Sequence, residues 1–238
     1  MLTTKPKHWW FYPQIPEEAD QKLTDYPPYF RQILFNRGIE NPADALAYLN
    51  ADFPLYDPFL LLDMEKAVQR LLQAVDLQEG IVIYGDYDVD GVSATALMVL
   101  VLQKYGARVH RYIPNRFDEG YGLNIDSIAL LADSGAKVIL TVDCGIRSPR
   151  EADFAREKSI DLIISDHHHP KDELPNAYAV VCQKREGDPY PYKDLAGVGL
   201  AYKIAQALHI RRPMKDGCVE DWLDLVALGT VADIVPLT

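Results

Sequence analysis

Residues 81–97, IVIYGDYDVDGVSATAL, place three carboxylates immediately after a short apolar run. The run consists of β-forming residues and ends at a glycine, which predicts a strand at about 81–84. The apolar stretch over 92–105, also followed by a glycine, predicts a buried helix. The carboxylates therefore lie in a strand-to-helix turn, where open α/β sheets bind ligands. They belong to Asp86, Asp88 and Asp90.

The spacing D-x-D-x-D-G is also how an EF-hand calcium loop begins. That loop needs a bidentate Glu at its twelfth position, where this chain has Leu97, and a helix rather than a strand before it. The sequence therefore excludes an EF-hand. Three like charges this close repel one another unless cations or hydrogen-bond donors offset them, so the turn is a candidate cation site.

The composition is that of an ordinary globular protein, with 238 residues of which 48% are hydrophobic and 25% charged, and it predicts one large domain with at most a small annex. The longest aliphatic run is too short to span a bilayer and the first residues do not resemble a signal peptide, so we expect a cytoplasmic protein without a membrane partner. Three widely spaced cysteines support neither a disulfide framework nor a zinc site. A net charge of −11 argues against a protein that coats nucleic acid in general, so we expect any phosphate-bearing partner to be bound locally.

The chain divides into a predicted helical annex at 1–62 and a sheet domain at 63–238. The annex shows short helices near 28–37 and after Asn41, which we expect to be an N-cap. Asp63 is predicted to cap an amphipathic helix that leads into the first strand. Helical stretches then alternate with strands, which predicts an α/β fold with a mostly parallel, Rossmann-like five-stranded sheet and helices on both faces. The strands are predicted at about 81–84, 107–113, 137–142, 161–165 and 178–182.

Further acids and histidines follow the later elements. Asp143 ends the third strand, and Asp166, His167 and His168 follow the fourth. Asp233 lies in a turn after an apolar helix. Segments at the carboxyl ends of parallel strands converge on one crevice, so we expect these side chains to meet. Taken singly, Asp143 and Asp233 also suit helix N-caps, and the histidines suit a solvated loop.

Four motifs, in this order, resemble the signatures of the DHH phosphoesterases: D-Y-D-V-D-G, V-D-C-G, D-H-H and G-T-V-A-D-I-V-P-L. The first and last are most similar to the RecJ-type branch of single-strand-specific DNA exonucleases, and the likeness covers about residues 63–238. The resemblance implies a site for two manganese or magnesium ions. Some members of the family have a histidine at the place of Tyr84. The implied metal ligands are Asp88, Asp90, Asp143, His167 and Asp233.

Five further side chains are candidates for catalysis or substrate binding. His168 would bind the phosphate oxygens. Asp86 and Asp166 would not bind the metal but would support the residues around it. Asn115 and Arg116, after the second strand, would hold a terminal 5′ phosphate through charge-assisted hydrogen bonds. A surface ion pair between Arg116 and a nearby acid is an almost equally favoured alternative.

The resemblance implies a two-metal enzyme that hydrolyses single-stranded DNA as a 5′ to 3′ exonuclease, releasing mononucleotides in DNA repair and recombination. Two alternatives remain: a small-molecule phosphohydrolase of the same superfamily, such as a pyrophosphatase or cyclic-dinucleotide phosphodiesterase, and a non-catalytic replication scaffold. Scaffolds tend to lose the metal ligands, whereas all five are present here. Enzymes of the RecJ type continue into a DHHA1 domain and usually an OB-fold. We therefore expect this chain to be the N-terminal catalytic lobe of a longer protein, whose missing C-terminal half completes the DNA groove.

Overall fold

The computed structural model describes residues 9–51, 55–115, 120, 122–171 and 173–237. The chain forms two compact units, Met1–Leu55 and Tyr56–Thr238. This division falls a few residues before the expected boundary at 62 and 63, and the proposed domain limits stay a prediction.

The second unit is built on a parallel five-stranded sheet, which confirms the predicted α/β fold. Its strand order is β2-β1-β3-β4-β5, so β1 has β2 on one side and β3 on the other. The chain thus changes direction across the sheet at β1 and β3, and the carboxyl ends of these two strands form the switch point at which such sheets bind ligands. The strands are β1 (Gly80–Gly85), β2 (Arg108–Tyr112), β3 (Ala136–Val142), β4 (Asp161–Ser165) and β5 (Ala179–Val181).

Helices cover both faces of the sheet because successive residues of a strand point to opposite sides. Ile81 and Ile83 of β1 pack with the helices of one face, while Val82 and Tyr84 pack with those of the other. The first face carries α4 (Met64–Asp76), α5 (Val89–Lys104) and α8 (Gly197–Arg211). The second face carries α6 (Ile125–Asp133) and α7 (Pro149–Glu157). A last helix, α9 (Leu223–Ala232), packs against α5 and α8.

One predicted helix start and one predicted side-chain cap are wrong in detail. Helix α5 begins at Val89 and not near Val92, because Asp88 caps it: its Oδ1 accepts a hydrogen bond from Gly91 N at 2.9 Å. Asp90 therefore lies in the first helical turn rather than in the preceding loop. Asp63 occupies the N-cap position of α4 but its side chain does not cap that helix. Its carboxylate instead accepts hydrogen bonds from Val180 N and from the Arg185 guanidinium, at 3.1 and 2.9 Å.

The first unit contains the helices α1 (Glu17–Lys22), α2 (Pro28–Asn36) and α3 (Pro42–Asn50). Asn41 caps α3 as predicted, since its side chain accepts a hydrogen bond from Asp44 N at 2.9 Å. The sequence interpretation had missed α1. Throughout the described residues, no helix has the length and apolar character needed to cross a membrane.

Candidate metal centre

The strand register places the acids predicted after β1, β3 and β4 next to one another at the carboxyl edge of the sheet. Gly85 at the end of β1 pairs with Val142 of β3, and Val142 pairs with Ser165 of β4. The residues that follow these three positions are Asp86, Asp143 and Asp166. The acids thus stand side by side at the carboxyl edge, around the switch point of the sheet.

Asp143 occupies the centre of this edge in an unusual backbone conformation. Its φ of 62° lies in the left-handed region, which a non-glycine residue adopts at a cost of about 1–3 kcal/mol and which is common at functional sites. Its backbone N–H donates to Ser165 O at 3.0 Å, which fixes the turn against β4. The residue is only 1% exposed, and burial, together with the negative charges of Asp90 and Asp88, raises the pKa of Asp143 to about 10.

Asp90 joins two helices. From the first turn of α5 its carboxylate accepts hydrogen bonds from Gly197 N at 2.6 Å and from Val198 N at 2.8 Å. These N–H groups open α8 and would otherwise lack partners, so Asp90 acts as the cap of a distant helix. Burial raises the pKa of Asp90, and the two backbone hydrogen bonds oppose that shift.

His167 points into the middle of the carboxylates. Its Nε2 lies 3.1 Å from Asp143 Oδ1, 3.6 Å from Asp233 Oδ2 and 3.9 Å from Asp90 Oδ2. The residue is 6% exposed, and burial lowers the pKa of the imidazole, which favours its neutral, metal-binding form. Within the described part of the chain, Asp143 Oδ1 and both ring nitrogens of His167 have no hydrogen-bond partner despite being buried. A cation bound between Asp143 Oδ1 and His167 Nε2 would give both atoms a partner.

Asp233 reaches the cluster from the end of α9, where it stands at the C-cap position. Sequence analysis placed it in a turn after an apolar helix, and the packing of α9 on α5 and α8 explains how it arrives there. It is less buried than Asp90 and Asp143. None of Asp143, Asp233 and His167 takes the alternative role of helix N-cap or solvated loop.

His168 is held by Asp166. Asp166 Oδ1 lies 2.7 Å from His168 Nδ1 and accepts the backbone N–H of His168 at 3.0 Å, while Oδ2 accepts Ile146 N at 2.9 Å. The side-chain hydrogen bond with Asp166 raises the pKa of His168. Burial alone would raise the pKa of Asp166, but its bonds to His168 and Ile146 outweigh this and lower it. Asp166 thus fixes the orientation of the His168 ring through Nδ1.

Three groups of side chains bring potential ligand atoms within 4.8 Å of one another. Asp143 and His167 each belong to two of the three groups, so the cluster offers adjacent positions for more than one ion. All donors are carboxylate oxygens or imidazole nitrogens, which suit Mn²⁺ or Mg²⁺. No Lys or Arg of the described residues forms an ion pair with these carboxylates. The groups are Asp90–His167–Asp233, Asp86–Asp88–Asp143 and Asp143–His167–His168.

Asn115 and Arg116 are the predicted 5′-phosphate pair. Asn115 is exposed in the segment after β2. Arg116 lies outside the described residues, so both of its suggested roles stay predictions.

The comparisons with known proteins agree with the geometry. The family model for the DHH family, N-terminal domain, matches residues 80–230. The chain belongs to the DHH family. The single-stranded-DNA-specific exonuclease RecJ of Bacillus subtilis (strain 168) is 42% identical to it over 241 residues, which cover 100% of this chain and 30% of that protein.

Two solved RecJ structures resemble this DHH chain. RecJ from Thermus thermophilus in complex with Mn²⁺ is 29% identical, with a TM-score of 0.75, over 92% of this chain and 30% of that one. A RecJ exonuclease bound to manganese is 34% identical, with a TM-score of 0.69, over 77% of this chain and 46% of that one. The chain thus spans less than half the length of each of these relatives.

Three glycines lie against the carboxylates of this cluster, and the sequence did not predict their role. A Cβ on Gly197 would lie 2.6 Å from Asp143 Cβ and 2.7 Å from Asp143 Oδ1. One on Gly229 would lie 3.0 Å from Asp90 Oδ1, and one on Gly91 would lie 2.7 Å from Asp86 Cβ. These glycines let three helices approach the carboxylates closely. Only the tertiary packing reveals this role.

Proposed function

We propose that this chain is the catalytic part of a metal-dependent phosphoesterase that degrades single-stranded DNA. The observation that carries the proposal is the cluster of buried carboxylates around His167, which no Lys or Arg of the described residues pairs with. The names of the relatives support single-stranded DNA as the substrate over a small phosphorylated molecule or a scaffold role. Digestion from the 5′ end, release of mononucleotides and a part in DNA repair and recombination belong to the same proposal.

The proposed ligands of two Mn²⁺ or Mg²⁺ ions are those implied by the sequence. Asp90, His167 and Asp233 would hold one ion, Asp88 would contribute to the other, and Asp143 would serve both. Asp86 lies in the same ligand group as Asp88 and Asp143, but its Oδ1 already accepts Tyr87 N at 2.8 Å, which favours a supporting role. When bound, such ions act as Lewis acids that stabilise charge on the phosphoryl group and activate water.

The remaining residues position the substrate. Asp166 holds the His168 ring, orients its Nε2 and favours the protonated imidazolium, so we expect His168 to donate a hydrogen bond to a phosphate oxygen. Asn115 and Arg116 would bind the terminal 5′ phosphate. Because Asp166 is itself fixed by Ile146 N, His168 keeps its orientation before the substrate arrives.

The partner proposed for the chain is single-stranded DNA. A net charge of −11 does not provide the basic, aromatic-lined groove that tight single-strand binding requires. The longer relatives contain residues beyond those matched here, and we propose that such residues complete the groove. A cytoplasmic location is part of the same proposal.

A cleavage assay of residues 1–238 tests this function. We expect slow hydrolysis of short 5′-labelled single-stranded oligonucleotides with Mn²⁺, none with excess chelator, and much less on a duplex of the same sequence. The weak groove should appear as a high KM. Absence of metal-dependent cleavage of both the oligonucleotide and bis(p-nitrophenyl) phosphate would refute the phosphoesterase, and equal cleavage of the duplex would refute the single-strand preference.

A further inference from the structure

Arg147 lies at the rim of the metal centre and has no role in the function described so far. It follows the tight turn that begins at Asp143 and precedes α7, and its side chain is exposed. Its Nε donates a hydrogen bond to the carbonyl oxygen of His169 at 2.9 Å. His169 is the third histidine of the D-H-H-H run, so Arg147 connects the segment after β3 to the segment after β4.

Contacts on either side of Arg147 place it next to His168. The preceding residue, Ile146, donates its backbone N–H to Asp166, which also binds the His168 ring. The guanidinium itself binds the carbonyl of the residue after His168.

Within the described part of the chain, no carboxylate lies within ion-pair distance of Arg147, whereas the neighbouring Arg156 on α7 pairs with Asp153 at 3.0 Å. The bond from Nε to a backbone carbonyl orients the guanidinium and leaves the two Nη groups for another acceptor. A guanidinium fork of this kind matches two oxygens of a phosphate group. The acidic cluster beside it would otherwise repel the phosphate backbone of DNA. A fixed cation at the rim of the cluster would offset this repulsion.

We propose that Arg147 binds a non-scissile phosphate of the single-stranded substrate, adjacent to the phosphate that His168 contacts. The inference rests on the proposed function and adds a substrate-binding residue to it. Arg147 would anchor the strand across the rim, while the metal centre acts on the neighbouring phosphodiester.

Equilibrium binding of a short fluorescent oligothymidylate to residues 1–238 tests the inference. Ca²⁺ replaces Mn²⁺ so that binding is measured with little turnover, and fluorescence anisotropy is recorded over a range of salt concentrations. The variants are Arg147→Ala, Arg147→Lys and the matched control Arg156→Ala, which removes the same charge from the next helix. Mn²⁺ affinity and hydrolysis of bis(p-nitrophenyl) phosphate are measured for each variant.

We expect Arg147→Ala to weaken binding about tenfold at low salt, as for loss of one charge-assisted contact. The slope of log K against log salt should fall by about 0.7, the value for one phosphate contact on a single strand. Arg147→Lys should keep that slope but bind more weakly than the wild type, because the fork is lost. Arg156→Ala should match the wild type, and Mn²⁺ affinity should be unchanged throughout.

Equal affinity and equal salt slope in Arg147→Ala and Arg156→Ala would overturn the inference. A loss of Mn²⁺ affinity in both Arg147 variants would also overturn it, because the side chain would then support the cluster rather than the strand. If the wild-type chain does not bind the oligonucleotide, the inference fails too. Hydrolysis of bis(p-nitrophenyl) phosphate then shows whether the phosphoesterase proposal survives without it.

Discussion

Two groups of charged side chains occupy opposite ends of the same sheet and are built differently. At the amino ends of the strands, the buried Arg70 lies between Glu79 and Asp161, with its Nη2 2.7 Å from Glu79 Oε2 and its Nε 2.6 Å from Asp161 Oδ2. Here the cation comes from the protein. At the carboxyl ends, no Lys or Arg of the described residues pairs with the buried Asp90 and Asp143, and burial favours the neutral form of His167 by lowering its pKa.

The difference separates a structural ion-pair group from the proposed metal site. Burying charge is costly unless an opposite charge or hydrogen bonds compensate for it. In the Arg70 group, opposite charges compensate one another when the chain folds, although Arg70 Nη1 and Glu79 Oε2 have no hydrogen-bond partner among the described residues. The carboxylate cluster meets this requirement through Asp90, whose oxygens cap α8, but leaves Asp143 Oδ1 without a hydrogen bond. A cluster of this kind is stable mainly when cations bind.

The largest effect is expected for Asp143→Asn. Asn has the same shape and tolerates the left-handed backbone, so the change removes a charged ligand with little disturbance. We expect Mn²⁺-dependent hydrolysis to fall at least about 10³-fold, as for loss of a major electrostatic group. The metal-free protein should unfold at the same temperature or higher, because burial already holds the pKa of Asp143 at about 10.

The matched control is Asp153→Asn, which removes the same charge from an exposed pair on α7. It should hydrolyse the substrate like the wild type. A strong loss of hydrolysis in both variants would mean that net charge, and not the cluster, controls activity.

The next largest effect is expected for the adjacent His167 and His168, whose substitutions should change different properties. His167→Ala should lose both Mn²⁺ affinity and turnover, because Nε2 of His167 faces three carboxylates. His168→Ala should keep Mn²⁺ affinity while kcat falls about 10²-fold, since its contact is with the substrate. Calorimetry and steady-state kinetics on both variants measure this, and equal loss of Mn²⁺ affinity would reject the division of roles.

The amino-terminal group should respond in the opposite way. Arg70→Met leaves Glu79 and Asp161 without their cation, and we expect the free energy of unfolding to fall by about 2 kcal/mol, less than for a fully buried pair because both carboxylates partly reach solvent. The kcat of the folded enzyme should not change. Arg212→Met, which breaks an exposed pair with Asp76, should have a much smaller effect on unfolding by denaturant. A loss of kcat in Arg70→Met would remove the distinction between the two ends.

The smallest expected effect concerns the close approach of α8. In Gly197→Ala the new Cβ would displace Asp143, and we expect Mn²⁺ affinity to fall about tenfold. Gly199→Ala on the same helix meets only the Leu195 side chain, at 3.3 Å or more, and should retain wild-type affinity. Identical Mn²⁺ affinity in both variants would show that the spacing between α8 and Asp143 is unimportant.

The sequence was sufficient for the strands: β1, β3 and β4 are apolar runs that end at a glycine or an acid, and all five predicted strands are present. It also predicted which acids would meet, since parallel strands place their carboxyl ends together. Local cap signals were less reliable. Asp63 has the residue type and position of a cap, but a tertiary contact with Arg185 takes its carboxylate away from α4.

Contacts between distant segments could not be predicted. The cap that Asp90 supplies to α8 joins residues more than a hundred positions apart, and nothing local marks Gly197 and Gly229 as neighbours of carboxylates. Arg147 was overlooked for the same reason, because its partner, the carbonyl of His169, belongs to another strand end. These features depend on the packing of α8 and α9 and on the strand order.

Titration of the metal-free chain with Mn²⁺ by calorimetry tests the central claim most directly. We predict that the wild type binds two ions per chain, that Asp153→Asn does the same, and that Asp143→Asn binds at least about 10²-fold more weakly because a shared charged ligand is lost. Failure of the wild type to bind Mn²⁺ or Mg²⁺, or unchanged affinity in Asp143→Asn, would contradict the account.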